Sequence, residues 1–176
     1  MDNGTLRRNN VNVTGRGTQP MLFAHGFGCD QNMWRYVTPA FEDDYRIVLF
    51  DYVGSGGSDL GAYSAERYAA LDGYADDVLD IVHALDLRDV IFVGHSVSSM
   101  VGVLAANREP DRFAHLVLVG PSPRQQVAQP RQGPGAAFVV RQRLAEAGLG
   151  LRQVAKVVVE VAPVDRDQRR VAQRPP

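Results

Sequence analysis

The chain has 176 residues, of which 45% are apolar and 22% charged, and its net charge is −1. This length and apolar fraction suit one globular domain with a sizeable core. The charge balance lacks the basic excess that nucleic acids or anionic membranes attract, so we expect neither as a partner. The single cysteine, Cys29, excludes an internal disulfide framework.

The start of the chain and its apolar runs show no export or membrane signal. Residues 1–17 are polar and lack the apolar stretch of a secretory signal. No run approaches the roughly 18 consecutive apolar residues of a membrane span. We therefore expect a cytoplasmic protein.

Four short apolar runs, each closely followed by glycine, alternate along the chain with helical patterns. Unbroken aliphatic and β-branched runs of this length are typical of strands buried on both faces of a parallel sheet. Alternation with helices predicts an α/β fold, with ligands bound where the strands end. The predicted strands are Met21–Ala24, Ile47–Phe50, Val90–Val93 and Leu116–Val119, and the predicted helices are Met33–Phe41, Tyr74–Leu85 and Val97–Arg108.

Residues 93–98, Val-Gly-His-Ser-Val-Ser, end a predicted strand and open a predicted helix. This context is typical of a nucleophile elbow, a tight turn that lifts the hydroxyl of Ser96 clear of the sheet. The turn needs small residues two positions before and after the serine, which Gly94 and Ser98 provide. A plain Gly-Ser turn between strand and helix is the alternative.

Residues 25–28, His-Gly-Phe-Gly, follow the first predicted strand. In a sheet that carries an elbow, this loop supplies one backbone amide of the oxyanion hole, and the residue after the nucleophile supplies the other. Those amides belong here to Phe27 and Val97. Because the motif uses the backbone, we interpret His25 as a structural brace of its loop.

A glycine-rich stretch, residues 51–59, follows the second predicted strand. No Gly-Lys-Ser/Thr sequence follows it, and its spacing does not fit a dinucleotide-binding fingerprint. We interpret it as a structural turn in which Asp51 ties down its own loop. We expect neither a cofactor nor a metal.

Together these motifs resemble one branch of the α/β-hydrolases, which holds the bacterial stress-sigma-factor regulator RsbQ and the plant karrikin and strigolactone receptors. The resemblance runs from about residue 9 to Pro123 and is greatest to RsbQ. Ser98, where the usual pattern has glycine, also matches the plant receptors. The stretches that carry the resemblance are 25–31 with Trp34, 49–56, Tyr68, 71–74 and 92–98.

The resemblance implies a parallel sheet in a three-layer αβα sandwich, a helical cap over the pocket and a Ser-Asp-His triad. It also implies a small apolar ester or lactone as ligand, with His25, Gly26 and His95 at the binding site. For RsbQ-like proteins it implies a regulatory phosphatase as partner. The cap, the remaining strands and the triad Asp and His would follow Pro123, where the match ends, so we expect a truncated fold.

None of the four histidines of the chain is expected to act as the base for Ser96. His95 should point away from the serine hydroxyl, and His83 lies on the polar side of its predicted helix. His115 begins a strand and should lie roughly 16 Å from the site, at about 3.3 Å per residue. His25 is committed to its loop.

Residues 124–176 differ in composition from the part before them. They hold ten basic and four acidic residues, whereas residues 1–123 hold nine basic and sixteen acidic residues. Arg, Ala, Gly and Pro fill 26 of the 53 places, a bias typical of GC-rich DNA read in a shifted frame. The alternative is a natural basic tail, disordered or loosely helical.

Three functions therefore remain open from the sequence. The first is a serine hydrolase that acts through an acyl-Ser96 intermediate. The second is an RsbQ-like regulator of a stress-sigma-factor pathway, which binds a ligand and acts through a partner protein. The third is an incomplete product without activity of its own, because the triad Asp and His are missing.

Overall fold

A single mixed sheet with helices forms the structure, a computed structural model that describes residues 3–121 and 157–159. The strands are β1 Asn12–Thr14, β2 Gln19–Ala24, β3 Tyr45–Leu49, β4 Val90–His95, β5 Phe113–Val119 and β6 Val157–Val159. The α-helices are α1 Asn3–Arg8, α2 Leu71–Ala84 and α3 Val97–Arg108.

The strand order is β1-β3-β2-β4-β5-β6, and the four inner strands β3, β2, β4 and β5 run parallel. These are the four strands that the apolar runs predict, so the parallel layer is confirmed. Consecutive elements connect through helices or loops on the faces of the sheet, as parallel pairing requires. The carboxyl ends of β2, β3, β4 and β5 therefore lie along one edge.

Both outer strands are antiparallel, which the sequence patterns do not indicate. Strand β1 pairs with β3, and β6 pairs with residues Leu116–Leu118 of β5. The apolar pattern Val154–Val161 is compatible with a helix, but Val157–Val159 within it form a strand, in line with the preference of β-branched residues. The rest of the expectation for residues 124–176, disordered or loosely helical, lies outside the described residues.

The predicted helix Met33–Phe41 is wrong in its type. Two short 3₁₀ helices, Gln31–Trp34 and Thr38–Ala40, occupy this region instead. Pro39 explains the break, since it lacks an N–H and disfavours helical backbone at the residue before it. The helices predicted over 74–85 and 97–108 are confirmed as α2 and α3.

The core lies on both faces of the sheet because successive strand residues point to opposite sides. Leu22 and Phe92 face α2 and α3, where Val78, Ile81 and Val101 complete the packing. On the other face, a smaller cluster forms around the first 3₁₀ helix; its fully or nearly buried members are Met21, Phe23, Trp34, Ile47 and Val93. The sheet is thus packed on both faces, and this packing holds the ends of its strands in place.

A buried carboxylate ties the N-terminal segment to α2. Asp77 has no exposed surface and accepts hydrogen bonds from Arg8, Asn9, Arg67 and Tyr68. The Arg8 and Arg67 guanidinium groups also reach a second carboxylate of α2 one turn further on. Because the four donors come from two separate segments, Asp77 fixes both against the same helix face.

Candidate active site

Ser96 lies between the end of β4 and the start of α3, in the turn that the sequence predicts. Its backbone has φ 55° and ψ −116°, a conformation that costs a non-glycine residue about 1–3 kcal/mol and tends to occur at functional sites. The surroundings hold this turn in place: the Ser96 N–H donates to the carbonyl of Val119 at 2.8 Å, and the Ser99 N–H donates to the carbonyl of Ser96 at 3.0 Å.

The small residues around Ser96 have a steric reason. A Cβ atom built on Gly94 would lie 2.6 Å from the carbonyl oxygen of Ser98 and 2.7 Å from the Phe92 ring. Both distances are too short for real contacts, so only glycine lets strand and helix approach so closely. Ser98 itself is fully buried and carries its side chain toward the neighbouring loop.

The loop after β2 packs directly on the elbow. A Cβ atom on Gly26 would lie 2.4 Å from His95 Nδ1 and 3.5 Å from Ser96 Cβ. The structure thus brings the predicted residues Gly26, His95 and Ser96 together. Within residues 3–121 and 157–159, neither the Phe27 nor the Val97 N–H has a hydrogen-bond acceptor.

The side chain of Phe27 is 92% exposed, in contrast to the buried residues on either side of the sheet. Its backbone rather than its ring therefore contacts the protein. The exposed ring offers apolar surface on the loop that follows β2. The Phe27 and Val97 amides therefore remain able to donate to a bound group, which is what an oxyanion hole requires of its donors.

His25 is buried, and both of its ring nitrogens are engaged. Nδ1 lies 2.9 Å from the carbonyl of Gly26, and Nε2 accepts the N–H of Tyr52 at 3.1 Å. Since a carbonyl only accepts and an amide only donates, the ring is neutral with its proton on Nδ1. His25 braces its loop, as the sequence predicts, and has no nitrogen free to take a proton from Ser96.

The other three histidines are placed without a hydrogen bond to Ser96. His83 lies on α2 and pairs with Glu109 at 2.7 Å, and His115 is exposed on β5. His95 packs against Gly26, and its Nδ1 is buried with no partner among the described residues. Because all histidines of the chain fall in the described part, the structure offers no His–Ser pair.

Asp51 ties down its loop, as the sequence predicts. Its carboxylate accepts the N–H of Gly57 at 2.9 Å, the side chain of Asn10 at 2.8 Å, and both the backbone and side-chain N–H groups of Gln31. Burial alone would raise the pKa of Asp51, but the hydrogen bonds from Asn10, Gln31 and Gly57 outweigh it and hold the pKa below its ordinary value. Asp51 is thus a structural carboxylate.

The comparisons with known proteins agree with the fold. The family model for the alpha/beta hydrolase fold matches residues 19–148, which is most of the chain and extends past Pro123. The chain belongs to the alpha/beta hydrolase family. This confirms the fold class and the resemblance to the α/β-hydrolases that the sequence motifs carry.

Curated relatives of this hydrolase-family chain include plant proteins. It is 45% identical to a karrikin insensitive 2 receptor of Petunia hybrida over 115 residues, which cover 65% of this chain and 43% of the relative. It is 44% identical to a strigolactone esterase of Arabidopsis thaliana, with the same shares of both chains covered. The chain therefore spans less than half the length of these relatives.

A solved hydrolase from Oleispira antarctica has a similar structure, with 50% sequence identity and a TM-score of 0.66. The likeness covers 68% of this chain and 44% of that protein. The family-model match over residues 19–148 includes β2 to β5 and Ser96.

The sequence motifs contain Tyr52 and Gln31 but do not indicate the contacts that these two residues make. The hydroxyl of Tyr52 lies 3.1 Å from Ser98 Oγ, although 46 residues separate them. Gln31 reaches Asp51 across 20 residues. Only the parallel pairing of β2 with β3 and β4 brings these positions together, so a local motif could not have indicated them.

The structure indicates no metal or membrane element in its described part. No group of three or more His, Cys, Asp or Glu side chains among the described residues is arranged to hold a metal ion. In the same part of the chain, no helix has the length and apolarity to cross a bilayer. Cys29 is a free, half-buried thiol.

Proposed function

We propose that Ser96 is the nucleophile of a serine-hydrolase site for small apolar esters or lactones, with Phe27 and Val97 as oxyanion donors. The observation that carries this proposal is the Ser96 backbone, held at φ 55° between β4 and α3 while the Gly26 loop packs on its Cβ. A simple turn would not need that conformation. Hydrolase and esterase relatives support the reaction class.

We further propose that this chain turns over esters only near the background rate. An ordinary serine hydroxyl is a weak nucleophile near neutral pH and needs a base. Each of the four histidines is occupied elsewhere or carries no bond to Ser96, and a triad needs all three roles in one place. Reading the other two frames of the gene downstream of codon 123 tests the incomplete-product origin, which predicts the missing Asp and His there.

The test compares the chain with its Ser96→Ala variant. The expected turnover of p-nitrophenyl acetate lies near background in both, and a fluorophosphonate probe labels neither beyond trace amounts. Robust turnover or stoichiometric labelling that disappears in Ser96→Ala would contradict the absence of a base. Such a result would make His25 the first residue to substitute.

The second candidate function is that of a ligand-binding regulator. The relatives named as karrikin receptors favour it, and the RsbQ-like resemblance adds a phosphatase partner in the cytoplasm. The exposed Phe27 ring gives a small apolar ligand a contact that does not depend on Ser96 chemistry. A receptor predicts that Ser96→Ala still binds strigolactone or karrikin, measured by calorimetry, whereas no binding by either form counts against this function.

A further inference from the structure

We infer that the hydroxyl of Ser98, held by Tyr52, acts with the His25 ring to position the oxyanion donor Phe27. This role for Ser98 and Tyr52 rests on the proposed function of the Phe27 amide. It goes beyond the requirement that the position two after the nucleophile be small. The inference stands on three hydrogen bonds to the two peptide groups around Gly26 and on two further bonds from Tyr52 that support them.

The first peptide group joins His25 to Gly26. Ser98 Oγ donates a hydrogen bond to the carbonyl of His25, from a side chain with no exposed surface. A buried carbonyl without a donor is destabilising, so the Ser98 hydroxyl stabilises this orientation of the peptide. The bond joins the elbow helix α3 directly to the loop that carries the oxyanion donor.

The second peptide group joins Gly26 to Phe27. The carbonyl of Gly26 accepts the Nδ1–H of His25 at 2.9 Å and the N–H of Cys29 at 3.2 Å. No cis peptide bond occurs among the described residues, so the carbonyl and the N–H of this group point in opposite directions. Two donors on the Gly26 carbonyl therefore turn the Phe27 N–H away from them and leave it free.

Tyr52 hydrogen-bonds both the His25 ring and the Ser98 hydroxyl. Its backbone N–H donates to Nε2 of His25 at 3.1 Å, which keeps the proton of that ring on Nδ1. Its hydroxyl lies 3.1 Å from Ser98 Oγ, and because the single Ser98 proton goes to His25, Tyr52 is the donor of this bond. Complete burial raises the pKa of Tyr52, and the nearby Asp77 charge adds to the rise, so the phenol keeps its proton.

The usual family pattern has glycine where this chain has Ser98. If size alone mattered, Ser98→Gly would be neutral or favourable for the turn. If the hydroxyl positions the loop, Ser98→Gly and Ser98→Ala both leave the His25 carbonyl without its donor. Tyr52→Phe removes the supporting bond without creating a cavity, so it serves as a second variant if substitution at Ser98 prevents folding.

Amide hydrogen exchange of the full chain, measured residue by residue by NMR, tests the inference without any substrate. We expect the Cys29 amide to exchange about tenfold faster in Ser98→Gly and Ser98→Ala, and several-fold faster in Tyr52→Phe, than in the parent. The amide of Phe92, inside β4, reports global opening. The matched control is Ser99→Ala, which removes a buried hydroxyl bond from α3 to the Gly94 carbonyl at 2.9 Å and should leave the ratio of Cys29 to Phe92 exchange unchanged.

An unchanged Cys29-to-Phe92 exchange ratio in the Ser98 and Tyr52 variants would overturn the inference. So would a Ser99→Ala ratio that rises as much as theirs. Ester turnover by Ser96 in the presence of added imidazole separates this result from the proposed function. Faster loop exchange with no Ser96-dependent turnover in the parent supports the positioning of the loop and counts against the nucleophile, whereas turnover with unchanged exchange does the reverse.

Discussion

At the scale of single residues, opposing effects decide the charge state of Asp51. Burial disfavours its carboxylate, whereas hydrogen bonds from Asn10, Gln31 and Gly57 favour it and leave the pKa lowered. The carboxylate thus joins three loops near the ends of the parallel strands. A pKa that is lower in the folded than in the unfolded state makes the free energy of unfolding depend on pH. Substitution of Asp51 should therefore change how the stability of the protein varies in acid.

The sign follows from the direction of that shift. The stabilisation by Asp51 is complete above the ordinary carboxyl pKa and is lost as the pH falls through the lower pKa of the folded state. Asp51→Asn should therefore be less stable by about 1–3 kcal/mol at pH 7, with a difference that narrows steadily below about pH 4. Urea unfolding of the parent and of Asp51→Asn, at pH 7 and again below about pH 4, measures this difference in the free energy of unfolding. A difference that widens in acid would contradict the assignment.

Residues close together in sequence could be predicted, and those joined by pairing of strands could not. Ser96, Gly94 and Gly26 follow from short motifs because a tight turn needs small residues at fixed spacing. Tyr52 and Ser98 meet only because β3 and β4 flank β2 in the sheet. That contact could be predicted only if the order and register of β2, β3 and β4 were already known.

At the scale of elements, α2 is fixed by charge as well as by its apolar face. Asp77 has no exposed surface, and Arg8 and Arg67 reach it at 3.3 Å and 2.9 Å. The apolar periodicity of α2 predicts its inward face, but not this carboxylate within it. The reason is that a buried Asp breaks the pattern and needs donors from distant segments, which periodicity cannot supply.

Substitution of Asp77 tests this anchoring. Asp77→Asn removes the charge that Arg8 and Arg67 share and leaves them partly buried, so we expect a loss of about 3 kcal/mol in the free energy of unfolding. The matched control is Asp43→Asn, at an ion pair with Arg16 in which both side chains are 85% exposed. That change should stay within about 0.5 kcal/mol. Equal effects of the two substitutions in urea unfolding would refute the anchoring role.

At the scale of the whole molecule, the outer edge of β5 decides how the sheet ends. The four parallel strands were predictable from their apolar runs, whereas the antiparallel pairing of Val157–Val159 was not. Val157–Val159 are only three residues within an arginine-rich part of the chain, which is too short a run to show the alternation of a strand. The pairing matters because an open apolar strand edge is a site of self-association.

Removal of residues 122–176 should therefore expose the backbone of Leu116–Leu118 and promote oligomers. Sedimentation velocity at increasing concentration measures the effect against the full chain. Val158→Pro provides a control of unchanged length, since proline cannot donate to the ladder, and should shift the distribution in the same direction. Monomers at all concentrations for both variants would show that β6 does not protect this edge.

The most direct test of Ser96 as a nucleophile without a base is to supply the base. We predict that added imidazole raises p-nitrophenyl acetate turnover in the parent chain above that of Ser96→Ala at every imidazole concentration, with an increment that saturates. Without imidazole the two proteins should match, because no histidine side chain of the chain hydrogen-bonds Ser96 and the ring nitrogens of His25 are both engaged in its loop. A Ser96-dependent rate in the absence of imidazole, or equal rates at all concentrations, would contradict this assignment.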